Sequence, residues 1–483
     1  MRRTKIICTI GPASDNEEML NKLIDAGMNV ARFNFSHGTH AEAKEKFDRL
    51  KAVCHARRAP VAFLQDTKGP EIRLRDFEGG KVQLVRGQKF TLTTEEILGD
   101  ASRASISYKD LPKDVSEGGA ILIDDGLIEL RVEKVSETEI ECTVVNGGPV
   151  SNHKGVNVPG AELSMPFISE TDRSDLEFGA ELGYDYVAAS FTRTADDVLA
   201  IREILNAKGS NAKIIAKIEN MQGVNNLEAI LDAADGIMVA RGDLGVEVPL
   251  EEVPVLQKRM IRMAAQKGKI CVTATQMLDS MMKNPRPTRA ESTDVANAIY
   301  DGTTAIMLSG ETASGAYPEE SVKTMARIAE RTEEDLVREG LLDSVVQTDL
   351  SDITSAISAA TCAVAEDVGA KKIITVTMSG FTARRLSAQR PACGIIACTP
   401  SRDIGRQMNL LFGVHPVIIP QVETEEGLFE EAIKASMKYD DVVPGDKIVL
   451  TAGVPLGVAG STNMIRVFEI YDPKVGPNGA KKA

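Results

Sequence analysis

Short apolar, β-branched runs recur along the chain at residues 5–10, 29–33, 61–65, 186–189, 213–216, 236–239, 270–274 and 304–308. Each has the length of a buried strand and is too short for a packed helix. Most of the stretches between them carry helical start signals. Ser14 to Glu17 has capping-box spacing ahead of Met19, Leu20, Leu23 and Ile24, and Ser169 opens a second start ahead of Leu176, Phe178 and Leu182. Strands that alternate with helices predict a parallel sheet. Eight such units predict a closed (β/α)8 TIM barrel.

The residues that end these runs select the barrel over an open doubly wound sheet. They are Thr9, then Arg32, Asn34 and Ser36, then Asp66 and Thr67, Ser190, Lys217 and Glu219, Arg241 and Asp243, Thr275, and Ser309 and Glu311. Barrels of this kind carry their active sites at the C-terminal strand ends. One connection, between residues 65 and 186, is far too long for a βα loop. Its interior, from 71 to 163, reads as strand at 81–84, 90–93, 120–123, 128–135 and 140–145, with glycine-rich turns between. It predicts a small all-β lid domain, a β-barrel at 70–166, inserted over the mouth of a barrel formed by 1–69 and 167–343. Residues 344–483 alternate again, with a helix at 352–368 and strands at 372–376, 394–397, 417–419, 447–450 and 464–470. They predict a separate C-terminal α/β domain.

Two strand exits carry concentrated chemistry: Lys217-Ile218-Glu219 and Arg241-Gly242-Asp243. Side chains at i and i+2 of a strand share a face, so each cation is expected beside its acid. The two acids are 24 positions apart, about one βα repeat, so adjacent strands would bring them together. Two carboxylates with a lysine and an arginine suit a hard divalent cation held against a phosphorylated anion. On these residues alone, a surface ion-pair cluster is the alternative.

Composition narrows the classes further. A net charge of −14, no tryptophan and 4% aromatic residues exclude a general nucleic-acid binder. No apolar run is long enough to span a bilayer. The start, Met1 to Lys5, has two arginines without the apolar core of a signal peptide. Seven cysteines without a CxxC pair read as free thiols of a reducing cytoplasm rather than disulfides or zinc ligands.

Ten stretches, in order along nearly the whole chain, resemble the motifs of the pyruvate kinase family. They are TKIICTIGP (4–12), ARFNFSHG (31–38), DTKGPEIR (66–73), DDG (124–126), KGVNVPG (154–160), AKIEN (216–220), GIMVARGDLG (236–245), TATQMLDSM (273–281), NPRPTRAE (284–291) and IMLSGET (306–312). The resemblance implies a glycolytic phosphotransferase that moves the phosphoryl group of phosphoenolpyruvate to ADP, giving pyruvate and ATP. It implies that Glu219 and Asp243 hold Mg²⁺ (or Mn²⁺), and that Lys217 and Arg32 face the transferring phosphoryl group. It places the backbone of Gly242 and Asp243 at the substrate carboxylate, and Thr275 beside the carbon that gains a proton. It assigns Asn34, Ser36, Asp66 and Thr67 to K⁺, with Glu71 where a glutamate accompanies K⁺ dependence. Pro12, Asn34, His37, Arg73 and Lys154 match residues that meet the nucleotide.

The same resemblance makes Thr377, Ser379, Gly380 and Thr382 an effector loop. Hydroxyls and a glycine that open a helix after a strand form a phosphate cradle. The later loop, 453–463, reads GVPLGVAGSTN, without Lys, Arg or Trp, so a monophosphate such as AMP or a sugar monophosphate is expected over a bisphosphate. Residues 284–291 imply a subunit contact and a homotetramer. Two rival readings remain. One is a Mg-dependent carbon–carbon lyase of the phosphoenolpyruvate/pyruvate barrel superfamily, which would need neither the lid nor Arg73. The other is a catalytically silent sugar-phosphate-binding regulator, against which the intact Lys217, Glu219, Asp243 and Thr275 stand.

Overall fold

The computed structural model describes residues 2–36, 38–342, 352–421, 424–438, 442–454 and 462–470. Among them, eight parallel strands close into a barrel: Lys5–Thr9, Val30–Asn34, Ala62–Asp66, Tyr186–Ala189, Lys213–Ile218, Gly236–Ala240, Ile270–Ala274 and Ala305–Leu308. Each pairs with its neighbour in sequence, and the last closes on the first with Lys5 opposite Ala305. Side chains are buried along nearly every barrel strand, which is why the runs look continuous rather than alternating.

The surrounding helices are fixed by their caps. Ser169 bonds the Asp172 amide and Asp172 reaches back, and Thr39, Thr194 and Thr288 build the same reciprocal box with Glu42, Asp197 and Glu291. The first helix corrects the expectation at Ser14. It spans Glu17–Ala26 and is capped by Asn16, which accepts from the Met19 amide. Ser14 is drawn back into a tight turn, where its Oγ accepts from the Gly11 amide at 3.1 Å.

Within the long connection, seven strands form one sheet, in the order Ile72–Arg73, Gly155–Asn157, Ala120–Ile123, Ile128–Val135, Glu139–Asn146, Lys89–Thr93, Arg103–Ser105. Its two edges meet: Leu74 bridges Ile106, and the Arg73 amide donates to Ser107 Oγ at 2.9 Å. A two-stranded ribbon, Lys81–Leu84 with Gly148–Ser151, flanks it. The strands at 72–73, 103–105, 148–151 and 155–157 have no counterpart in the sequence reading. They are two to four residues long, too short to show a period of two.

The C-terminal sheet runs Val414–Ile418, Gly394–Thr399, Lys372–Val376, Lys447–Gly453, Thr462–Glu469, parallel except for the last strand. It has its own sheet and, around Ile374, Ile396, Phe429 and Leu450, an apolar cluster of its own, while a second cluster is shared with the barrel. Ile373, Leu386, Ile395, Leu411 and Val414 belong to one apolar cluster with the barrel-interior residues Ile7, Val30, Leu64, Tyr186 and Met238. This domain stoppers the N-terminal floor of the barrel. There Lys5 Nζ donates to the Val414 carbonyl at 2.6 Å, Arg406 Nε pairs with Asp185 at 2.9 Å, and Asn409 Nδ2 donates to the Pro60 carbonyl at 2.8 Å. The opposite rim is left to the lid. Among the described residues, no helix is long and apolar enough to cross a membrane.

Candidate active site

Lys217 lies one residue before its strand ends and is 9% exposed. Its ammonium stands 2.9 Å from Glu219 Oε1 and 3.1 Å from Asp66 Oδ1, and donates to Ser190 Oγ at 2.7 Å. The strand alternation therefore does put Lys217 and Glu219 on one side. Asp66 is bracketed a second time by Arg32 Nε at 2.5 Å, and Arg32 Nη1 is tied to Thr9 Oγ1 at 2.9 Å. Burial pushes the Asp66 carboxyl up, but Arg32 and Lys217 outweigh it and hold it below the usual carboxylate range. Burial likewise works against the Lys217 ammonium, and Asp66 and Glu219 overcome it, so the charge is firmly held.

Glu219 is the undercompensated member. Burial raises its carboxyl well above the ordinary range, Lys217 opposes this only partly, and Asp243 adds to the rise. Lys217 is shared between two carboxylates, and Asp66 also has Arg32. Glu219 Oε2 is further oriented by the Phe191 amide, which donates to it from a residue at φ 55°.

At the next strand the structure corrects the pairing of Arg241 with Asp243. The strand stops at Ala240, and Arg241–Glu247 is helical. Successive helical residues turn by about 100°, so i and i+2 point apart. Arg241 swings away to Asp294 Oδ1 at 2.7 Å and to the Thr275 carbonyl at 2.6 Å. Its work is to brace Thr275, a β-branched residue at φ 68°. Such a conformation costs on the order of 1–3 kcal/mol and is kept where surroundings enforce it. Thr275 Oγ1 accepts from the Gly242 amide at 2.8 Å and donates to the Ala274 carbonyl at 2.6 Å.

Asp243, in the first turn of that helix, looks toward the lid. Asp125 has its carboxyl raised by burial, then by Asp243 and Asp124; Glu247 is raised by burial and by Asp243. Asp243 thus acts on Glu219 beside the Lys217 ammonium and on Asp125 and Glu247 on the lid side; among the described residues no three such side chains converge, which leaves Glu219 and Asp243 as a two-carboxylate donor set. That donor set fits a hard divalent cation, which binds oxygen and relieves such repulsion.

Asn34 and Asp66 are register partners on adjacent strands. Asn34 Oδ1 accepts from the Ser36 amide at 2.9 Å, and the Thr67 carbonyl accepts from Ser190 Oγ at 2.7 Å. The four residues expected at K⁺ therefore meet in one oxygen-rich corner, next to Lys217. The residues expected at the nucleotide divide in two. Arg73 and Lys154 line a cleft of about 490 Å³ between lid and barrel that Asp125, Asp243 and Glu247 also line. In it, Arg73 pairs with Glu71 at 2.7 Å and Lys154 with Asp124 at 2.8 Å. Pro12 is exposed on the rim after the first strand and Asn34 is half-buried at the end of the second; both lie outside this cleft. His37 lies outside the described residues.

In the C-terminal domain, Thr377 Oγ1 accepts from the Gly380 amide at 3.0 Å, and Thr382 Oγ1 is 2.6 Å from Thr462 Oγ1. Gly380, at φ 76°, caps the helix Phe381–Ala388, and Ser379 is exposed. Residues 455–461 of the later loop lie outside the described residues.

Three residues of the rim were not picked as site residues from the sequence. Ser190 was visible as a polar strand exit, but only folding brings it between Lys217 and Asp66. Asp125 stands in the DDG stretch, and nothing local points it across at Asp243. Glu247 carries no sequence signal; its place follows from lying one helical turn beyond Asp243.

Comparison with known proteins adds an independent line. The family described as "Pyruvate kinase, barrel domain" matches residues 1–322, and "Pyruvate kinase, alpha/beta domain" matches 355–468. A pyruvate kinase of Clostridium acetobutylicum is 49% identical over 469 residues, covering 97% of this chain and 99% of its own. One from Staphylococcus aureus (strain MRSA252) is 47% identical over 474 residues, 98% of this chain and 81% of its own. Among solved structures, a pyruvate kinase from Cryptosporidium parvum superposes with a TM-score of 0.91 at 39% identity, covering 97% of this chain and 96% of that one.

Proposed function

Because the chain belongs to the pyruvate kinase family and moves the phosphoryl group of phosphoenolpyruvate to ADP, we propose that Lys217, Arg32 and Thr275 carry the chemistry, with Glu219 and Asp243 as ligands of Mg²⁺ or Mn²⁺. This membership sets the carbon–carbon lyase reading aside. The observation that carries the assignment is the buried Lys217 ammonium, held by Asp66, Glu219 and Ser190 at the rim.

A phosphoryl group in transfer spreads charge over its oxygens, so its catalysis is positioning and charge stabilisation. Lys217 supplies a fixed positive charge that needs no reorganisation during the step. Arg32 is pinned through Nε and Nη1, which presents Nη2 to a phosphoryl oxygen. When bound, the divalent ion neutralises and orients the carboxylate and phosphoryl group of the substrate. The amides of Gly242 and Asp243 receive the substrate carboxylate, and the Gly242 N–H exchanges its bond to Thr275 Oγ1 for that contact. The released hydroxyl then faces the enolate carbon, where it relays a proton with water, since a threonine alone is a weak acid.

Asn34, Ser36, Asp66 and Thr67 hold K⁺ in this reading, and Glu71 leaves the ion's charge unreplaced. Arg73 and Lys154 meet the ADP/ATP phosphates from the lid, while Pro12, Asn34 and His37 meet the nucleotide from the barrel. Thr377, Ser379, Gly380 and Thr382 take a phosphorylated effector, AMP or a sugar monophosphate. Residues 284–291 join subunits of a homotetramer, and the seven free cysteines suit the cytoplasm.

The test of the central assignment is a Mg²⁺ titration of the PEP- and ADP-dependent reaction in saturating K⁺. Glu219→Gln should raise the half-saturating Mg²⁺ by about tenfold or more and lower kcat by about 10²-fold or more. An unchanged Mg²⁺ response overturns the ligand role.

A further inference from the structure

The helix Arg241–Glu247 presents Asp243, Val246 and Glu247, at i, i+3 and i+4, on one side. Each meets the lid. The Glu247 Oε1 atom accepts from Asn157 Nδ2 at 2.9 Å, across 90 residues of sequence. Val246 underlies the turn at Gly126, where a Cβ would stand 3.8 Å from Val246 Cγ1. Asp243 and Asp125 line the same cleft, and the Asp243 charge adds to the burial that raises the Asp125 carboxyl. The Asn157–Glu247 bond holds the lid down, Val246 lies beneath it, and the Asp243–Asp125 pair pushes it away.

We propose that Asn157 and Glu247 are positioning residues that latch the lid to the barrel over the nucleotide, setting the grip on ADP rather than on phosphoenolpyruvate. The proposal rests on the placement of Arg73 and Lys154 at the nucleotide phosphates. Lys154 lies on the loop that leads into Gly155–Asn157, three residues before the latch, so what seats Asn157 also seats Lys154. Asp243 lies one turn before Glu247 on the same short helix. Asp243, holding a divalent cation, would no longer oppose Asp125, which would leave the Asn157–Glu247 bond unopposed. Lid closure is thereby coupled to a filled metal site through one helical turn. A closed lid excludes water, so phosphoryl transfer goes to the ADP β-phosphate oxygen and not to water, which would give inorganic phosphate.

The test compares Asn157→Asp, the Asn157→Asp/Glu247→Gln pair and Lys154→Ala in the full-length enzyme. Asn157→Asp sets a carboxylate against Glu247 and should raise KM for ADP by about tenfold, with KM for phosphoenolpyruvate changed less than about twofold. Hydrogen exchange at 155–158 should quicken, and pyruvate formed should exceed ATP formed. In the double variant the glutamine Nε2–H₂ donates to the new carboxylate, so KM for ADP and the exchange should return to within about threefold of wild type. Unchanged exchange and KM in Asn157→Asp overturn the latch, as does a double variant no better than the single one. If Lys154→Ala leaves KM for ADP unchanged, the nucleotide placement falls. The latch is then upheld or rejected by the exchange at 155–158 alone.

Discussion

At the barrel floor, buried charges end on protein partners: Arg406 on Asp185, Lys5 on the Val414 carbonyl, Arg390 on the Gly302 carbonyl. At the rim, the Lys217 ammonium is divided between Asp66 and Glu219, and the Asp243 charge adds to the burial that raises the carboxyls of Glu219 and Asp125. Both ends desolvate ions at a cost of several kcal/mol each. The floor gives each charge a protein partner but recovers that cost only in part, since burial still lowers the pKa of Lys5 and of Arg390 and raises that of Asp185. The rim compensates Lys217 and Asp66 and leaves Glu219 undercompensated, the position that the proposed function gives to a metal ligand. Buried charges tied one by one to fixed protein partners mark a stopper; a surplus of one sign at a strand-end mouth marks a place for a ligand.

The contrast is broken most forcefully at the rim. Lys217→Met keeps the volume and removes the charge, and should lower kcat by about 10³–10⁴-fold with the thermal midpoint little changed. A loss confined to stability would make Lys217 a floor-type charge. At the floor the reverse is expected. Arg406→Met leaves Asp185 buried without its partner and should cost about 3 kcal/mol in urea unfolding of the full chain, with kcat within about threefold. Unaltered unfolding would show that the Asp185 pair is not part of the stopper.

A finer cut separates steps within the rim. Thr275→Ala should slow conversion of enolate to pyruvate by about 10²-fold while phosphoryl transfer falls far less, read by following the two steps separately. Equal losses would remove the proton-relay role. The smallest effect belongs to Asp185, whose carboxyl burial raises to about 6 against the opposing pull of Arg406. A raised acid favours the protonated folded state, so its contribution falls as pH rises through the window from about 4 to 6. Relative to Asp185→Asn, wild-type stability should drop by on the order of 2 kcal/mol between pH 4 and pH 7. A pH-independent difference would mean that Arg406 fully neutralises Asp185.

Local signals carried much of this molecule. The barrel strands were legible because each is a short run of buried, β-branched residues, and the polar exits were legible because they follow those runs directly. Lys217 and Glu219 share a side because a strand's period of two holds there. The same rule failed at Arg241 and Asp243, since the chain enters a helix at Arg241 and the phase changes within one residue. Ser14 lost its cap to Asn16 because a tight turn at Gly11 competed for the hydroxyl.

The sequence by itself determined the alternation of strands and helices, the all-β insertion, the C-terminal sheet and the residue types gathered at strand ends, because apolar periodicity, caps and motifs act over a few residues. Only the tertiary structure decided where Arg241 points, how Lys217 is shared, which domain plugs the floor and how Asn157 reaches Glu247. Those outcomes depend on side chains far apart in the chain competing for the same few buried charges, and no spacing along a chain encodes that competition.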